Sequence, residues 1–122
     1  MEENLNNQLT KKQEYHKNYL KQYNKTPMGR SLYLIQSYRQ ADAYYNREQP
    51  DFNAKWFMNH VMTSQCAYCG ETNWRELGAD RIDNSKGHTK DNIICSCQKC
   101  NRERGRKPFA EFWRKKQEDL IN

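Results

Sequence analysis

Two C-x-x-C pairs, Cys66 and Cys69 in QCAYCG and Cys97 and Cys100 in SCQKCN, constrain this chain more than any other feature. Four thiolates at that spacing can close a tetrahedral zinc site. The 27 residues between the pairs, Gly70 to Ser96, are more than a plain zinc ribbon carries, so the metal would staple the base of an inserted unit. The fifth cysteine, Cys95, falls outside the repeated spacing and reads as a small buried residue on a strand, with a fifth or alternate zinc ligand as the rival reading. Five cysteines cannot all pair as disulfides, and the doubled spacing favours zinc in a reducing compartment.

A chain of 122 residues, 35% of them hydrophobic, can build one domain with a modest core that a structural metal would supplement. No apolar run is long enough to span a bilayer, and the start MEENLNNQLTKKQ lacks the basic-then-apolar pattern of a secretory signal. A soluble, cytoplasmic protein without membrane partners is the expectation. The net charge of +6 and pI near 9.1 suit an anionic partner. Much of the excess is local: Arg102, Arg104, Arg106, Lys107, Arg114, Lys115 and Lys116 face only Glu103 and Glu111 between Asn101 and Lys116.

Helical spacing organises residues 1–62 into an N-terminal extension. Leu5 and Leu9, then Tyr15, Tyr19 and Tyr23, recur every four residues and predict a weakly hydrophobic helix from Leu5 to about Asn24. Thr26 before Pro27 reads as an N-cap with proline at the first helical position, opening a helix to about Asn46 whose buried stripe is Leu34, Tyr38, Ala41 and Tyr45. Gly29 costs that helix roughly 1 kcal/mol, so TPMGR as a tight turn approached by DNA backbone is the alternative. Asp51 is positioned to cap a third helix, Phe52 to Met62, with Ala54, Phe57, Met58 and Val61 on one face and Trp56 near its edge. The tyrosines read as packing groups with exposed hydroxyls rather than base-stacking platforms, and His16 and His60 as solvated surface residues.

Residues 63–122 form the expected zinc-bound core. Leu77 to Ile82 reads as a strand and Asn92 to Ser96 as its antiparallel partner, joined by a polar loop containing Asn84, Ser85, Lys86 and Gly87. The second C-x-x-C then starts a helix. Pro108 begins a last one, on which Phe109, Phe112, Trp113, Lys116 and Leu120 share a face predicted to pack back onto the domain.

The stretch LGADRIDNSKGHTKDNIICSCQKCNRERG, Leu77 to Gly105, resembles the HNH endonuclease family, and in detail its small phage-type members with LGxDRxDNSxGY or LGxDRxDNSxGH. The resemblance rests on Ala79 to Arg81, on Asn92 opening the second strand and on CxxCN at Cys97 to Asn101, flanked by the earlier CxxCG. It covers Cys66 to about Arg106 and implies an α+β fold: a zinc-stapled ββα-metal core with the N-terminal helical extension and the C-terminal amphipathic helix. It also implies a bacterial or phage-infected host cell, DNA as substrate, and products with a 3′-hydroxyl and a 5′-phosphate.

Phosphodiester hydrolysis needs charge neutralisation at the phosphate, an activated water and a stabilised leaving oxygen. A hard cation, Mg²⁺ or Mn²⁺, meets the first and last needs with only one or two protein ligands; the resemblance implies Asp80 and Asn101. Most family members place a histidine base after this aspartate, whereas this chain has Arg81, which cannot act as a base at neutral pH but can clamp a phosphate. His88 in the loop is then the candidate base. Asn92 matches the family asparagine that braces the loop through backbone. Asp83 could add an outer hydrogen bond or merely form a turn with Asn84. Arg102, Arg104, Arg106 and Lys107 are candidate grips for flanking phosphates. Four thiolates leave zinc no open position, so that metal would be structural. The reading is a divalent-cation-dependent DNA endonuclease, with a homodimer left open. Its main rival is a zinc-dependent nucleic-acid-binding module without nuclease activity, which Arg81 keeps alive; a zinc-held protein-interaction domain ranks last.

Overall fold

A reciprocal cap starts the first helix in the computed structural model, which describes residues 10–23 and 25–121. The Thr10 hydroxyl accepts from the Gln13 amide while Gln13 Oε1 accepts from the Thr10 amide, and helix α1 runs Lys11–Tyr23. Leu5 and Leu9, and the side chains of Tyr19 and Tyr23, lie outside what is described. Helix α2 (Pro27–Tyr44) opens as predicted, with Thr26 Oγ1 accepting from the Gly29 amide. TPMGR is therefore the first turn of a helix.

The buried stripe of α2 differs from the expected one. Arg30, Ser31, Ile35 and Asp42 are buried, Leu34, Tyr38 and Ala41 half-buried, and Tyr45 is 62% exposed. Tyr45 lies past the end of the helix, which stops in an αL turn at Asn46 (φ 55°). There the Arg47 amide bonds the Asp42 carbonyl and the Asn46 amide bonds the Ala43 carbonyl.

The third helix also starts later than predicted. Asn53, not Asp51, is the cap, accepting from the Trp56 amide, and α3 (Ala54–Phe57) continues as a π-helical turn, Met58–Met62. Either residue type can cap; burial of Phe52 in the core selects the register. That leaves Asp51 to accept from the Lys90 amide across the fold.

A two-stranded antiparallel sheet follows, β1 (Leu77–Arg81) and β2 (Ile93–Cys97), with Leu77 opposite Cys97 and Asp80 opposite Ile94. Both of its edges carry bonds from outside the sheet. Along β1, Arg30 Nε donates to the Leu77 carbonyl and the Ala79 amide donates to the Tyr38 hydroxyl; along β2, the Ala67 amide reaches the Cys95 carbonyl. Those bonds satisfy strand groups that would otherwise be orphaned under packed side chains. Helix α4 (Gln98–Arg104) leaves β2 directly, and α5 (Phe109–Ile121) closes the chain.

The core joins α2, α3 and its π turn, β1 and the first C-x-x-C, with Phe57, Tyr68 and Leu77 fully buried. The architecture is thus α+β. Contacts cross residue 62 at several points, since α2 supplies Arg30, Tyr38 and Asp42 to partners beyond it. α5 packs as predicted over its first turns, where Phe112 sits edge-on to Tyr68 at 4.9 Å, Trp113, 37% exposed, keeps a tilted contact with the same ring and Lys116 is half-buried beside Glu103, whereas Leu120 is 61% exposed. Among the described residues no helix is long and apolar enough to cross a membrane.

Candidate functional site

The two C-x-x-C pairs converge. Gly70 in a positive-φ turn (84°) lets its amide bond the Cys66 carbonyl, folding the first pair into a tight knuckle, and the Cys97 sulfur accepts from the Cys100 amide at the start of α4. The four sulfurs lie within 4.8 Å of one another, and Cys69 and Cys97 are 3.7 Å apart. Tetrahedral zinc, with Zn–S near 2.3 Å, separates its sulfurs by roughly 3.8 Å, so this cluster can hold a metal ion such as zinc. Burial opposes ionisation of Cys66, but the backbone amides of Cys97, Cys69 and Tyr68 outweigh it and hold the thiol below its usual range. Burial pushes Cys69 and Cys100 up. Cys95 stands apart: its sulfur donates to the Val61 carbonyl and burial raises it to about 12.

Asp80 faces inward. Its Oδ2 accepts from the Tyr68 hydroxyl at 2.5 Å and from Arg104 Nη1 at 2.9 Å, and the residue is only 6% exposed. Buried against that carboxylate, the Tyr68 hydroxyl is held protonated far above its usual range. None of the described residues bonds Oδ1. Arg104, expected among the grips on flanking phosphates, is corrected by this geometry: it is 1% exposed and donates to Asp80, to the carbonyls of Arg81 and Ile82, and to the Lys107 carbonyl. The reason is helical phase, which turns its side chain from solvent toward β1. Arg102, Arg106 and Lys107 remain exposed.

Among the described residues the Asn92 side chain bonds only backbone: Oδ1 accepts from the Asp83 amide, and Nδ2 donates to the carbonyls of Asp83 and Gly87. Asp83 folds onto Ser85 and is exposed, as a turn residue would be. Gly87 has no room for a side chain, because a Cβ there would lie 1.8 Å from the Glu48 carbonyl oxygen. That close approach presses the loop onto the segment after α2 and delivers the next residue, His88, to Asp42.

His88 is 8% exposed. Its amide and its Nδ1 both bond Asp42 Oδ2, at 3.0 and 2.9 Å, and the Tyr38 ring stacks on the imidazole at 4.1 Å. Asp42, fully buried, takes Arg47 Nε on its other oxygen at 3.0 Å. Burial lowers the His88 pKa, the Asp42 carboxylate opposes this, and the Arg81 and Arg47 charges add to the lowering. The imidazole is neutral at neutral pH. Burial also raises Tyr38 to about 12, so its hydroxyl stays protonated. A bonded, buried imidazole whose Nε2 has no partner among the described residues can take a proton from a water.

His88 and Asn101 line one cleft with Tyr38, Gly78, Ala79 and Ser96. Asp80 does not line it, though its charge acts on Tyr38 there. A neighbouring groove is lined by Tyr45, Arg47, Arg81, Asn84, Gly105 and Arg106, with three guanidinium groups and, among the described residues, no carboxylate. Arg81 is partly committed, since its Nη1 donates to the carbonyls of Asn84 and Lys86 and so holds the loop. Burial and the nearby Arg47 charge lower its pKa, against the opposing charges of Asp42 and Asp80. Sequence reasoning missed Asp42, Arg47 and Tyr68; the one available signal was an aspartate four residues after Tyr38, on the apolar period of a helix. Comparisons with family models, curated proteins and solved structures find no match for this chain.

Proposed function

We propose that this protein is a divalent-cation-dependent DNA endonuclease of the HNH class, with a structural zinc on Cys66, Cys69, Cys97 and Cys100. One observation carries the reading: a carboxylate-bonded His88 lies next to a groove of three arginines that no acidic side chain among the described residues lines. The groove suits successive phosphates of a nucleic-acid strand, and the imidazole suits deprotonation of the attacking water.

His88 Nε2 accepts the proton from water while Nδ1 stays bonded to Asp42. Arg81, with Nη1 fixed to the loop, directs its remaining N–H donors at a phosphate oxygen and stabilises the charge that builds there. Arg47 and Arg106 extend the positive surface to the flanking phosphates. Asp80 Oδ1, a buried carboxylate oxygen without a partner among the described residues, and the exposed amide of Asn101 are the groups that would hold Mg²⁺ or Mn²⁺. When bound, that ion supplies charge neutralisation at the phosphate and the departing oxygen.

The second reading, a nucleic-acid-binding module that does not cut, draws support from the ion pair between Asp80 and Arg104, which already neutralises the carboxylate. Supercoiled plasmid incubated with Mg²⁺, Mn²⁺ or EDTA separates the two. Metal-dependent nicked circles support a single-strand cutter, and linear product supports two subunits acting together. Intact plasmid with both metals, under conditions where the protein binds DNA, leaves the binding module.

A further inference from the structure

We infer that Asp42, in the helical extension outside the stretch that resembles a nuclease, is the positioning residue that fixes both the tautomer and the ring plane of His88. Its catalytic meaning rests on the nuclease reading above; its structural content does not.

An ionised carboxylate can only accept hydrogen bonds. Because Asp42 Oδ2 lies 2.9 Å from Nδ1, the proton of neutral His88 sits on Nδ1 and the lone pair on Nε2. A base must present that lone pair. The same oxygen takes the His88 amide, so one carboxylate holds ring and backbone together and sets the side-chain torsions as well as the protonation pattern. Asp42 keeps its charge although burial opposes it, because the His88 amide, the imidazole and Arg47 all bond it.

Arg47 is placed for this by the end of α2. The αL residue Asn46 reverses the chain so that the Arg47 amide caps the Asp42 carbonyl, and the guanidinium then returns to Asp42 Oδ1. Tyr38, one turn before Asp42, stacks on one face of the ring, and its hydroxyl is anchored by the Ala79 amide. The groups facing His88 are thus Asp42 and Tyr38 from α2, Arg47 from the segment after it, and Arg81 from β1. Three of them lie before residue 62, so the extension completes the site.

The test reads the ring nitrogens of His88 by long-range proton–nitrogen correlation in the full-length, zinc-replete protein at neutral pH. The His88→Gln variant assigns the signals, and cleavage rate is measured in parallel. The expected result is a protonated Nδ1 and an unprotonated Nε2 in the wild type. In Asp42→Asn, whose amide can donate to Nδ1, the proton should move toward Nε2, with a loss of roughly 100-fold or more in cleavage rate, the scale of general-base catalysis. Zinc content should stay at the wild-type value. A wild type that holds the Nδ1 proton yet cuts no DNA overturns the nuclease reading and leaves the positioning role standing. A wild-type His88 protonated on Nε2, or averaged between tautomers, overturns the role of Asp42 whether or not Asp42→Asn folds. So does an Asp42→Asn protein with the wild-type rate and tautomer.

Discussion

Replacing Arg104 by alanine discriminates sharply between a residue that grips DNA and one that holds the core. Its guanidinium is 1% exposed and donates to four acceptors, one of them the buried carboxylate of Asp80. Truncation would leave that carboxylate with the Tyr68 hydroxyl as its one partner among the described residues. Removing one partner of a buried ion pair costs about 3–5 kcal/mol, chiefly because the other charge stays buried and uncompensated. For a chain of this size each kcal/mol moves the midpoint by roughly 3–5 °C, so the melting temperature should fall by roughly 10–20 °C. Thermal unfolding followed by far-UV circular dichroism, with zinc held constant, measures it. The Asp80→Asn/Arg104→Ala double variant should recover part of the loss, because the unpaired charge is gone. A phosphate-gripping arginine would behave in the opposite way, leaving the melt unchanged and reducing the salt slope of DNA binding by about one. An Arg104→Ala protein that melts within about 2 °C of wild type, less than one kcal/mol would produce, refutes the structural role.

Elemental analysis of protein purified without chelator should find one zinc per chain, and Cys97→Ser should unfold the core, since metal-binding energy in so small a domain is largely folding energy; a Cys97→Ser variant as stable as wild type would remove zinc from the account. Asn101→Ala should abolish metal-dependent cleavage while leaving zinc content and DNA affinity near wild type, and it is a cleaner probe than Asp80→Ala because Asn101 is exposed whereas Asp80 carries the Arg104 ion pair. Cutting by Asn101→Ala at the wild-type rate would misplace the cation. Burial lowers the His88 pKa below its ordinary value of about 6.5, so the acid limb of the rate should have its midpoint below that value and vanish in His88→Ala. The same shift makes the His88 contribution to stability full above about pH 6.5 and lost as pH falls through the folded value; an acid limb centred above pH 7 contradicts both.

Much of the local structure was legible in the sequence because its causes are local. Thr26 before Pro27 opens α2 through a cap and a fixed φ, and alternation with polar punctuation marks the two strands. Each C-x-x-C pair needs only a tight turn to bring its own two sulfurs together, whereas the meeting of the two pairs, 28 residues apart, is tertiary. Charge and period could not say where long side chains end. Arg102, Arg104 and Arg106 look alike as a basic run, yet the helix turns only Arg104 inward to Asp80. Asp51 and Asn53 are both competent caps, and only the burial of Phe52 chooses between them.

The site shows the same division. Residue type and spacing were enough for the cysteine cluster that could hold a metal ion, for the loop that carries His88 and for arginine rather than histidine at position 81. Tertiary structure alone decided what His88 faces. Asp42 lies 46 residues away and reaches it only because α2 runs along β1, the chain reverses at Asn46, and Gly87 lets the loop close onto Glu48. A contact between segments so far apart leaves no period or motif behind; its trace is a charged residue at a position where the helix should bury an apolar one, and that trace names no partner until the chain is folded.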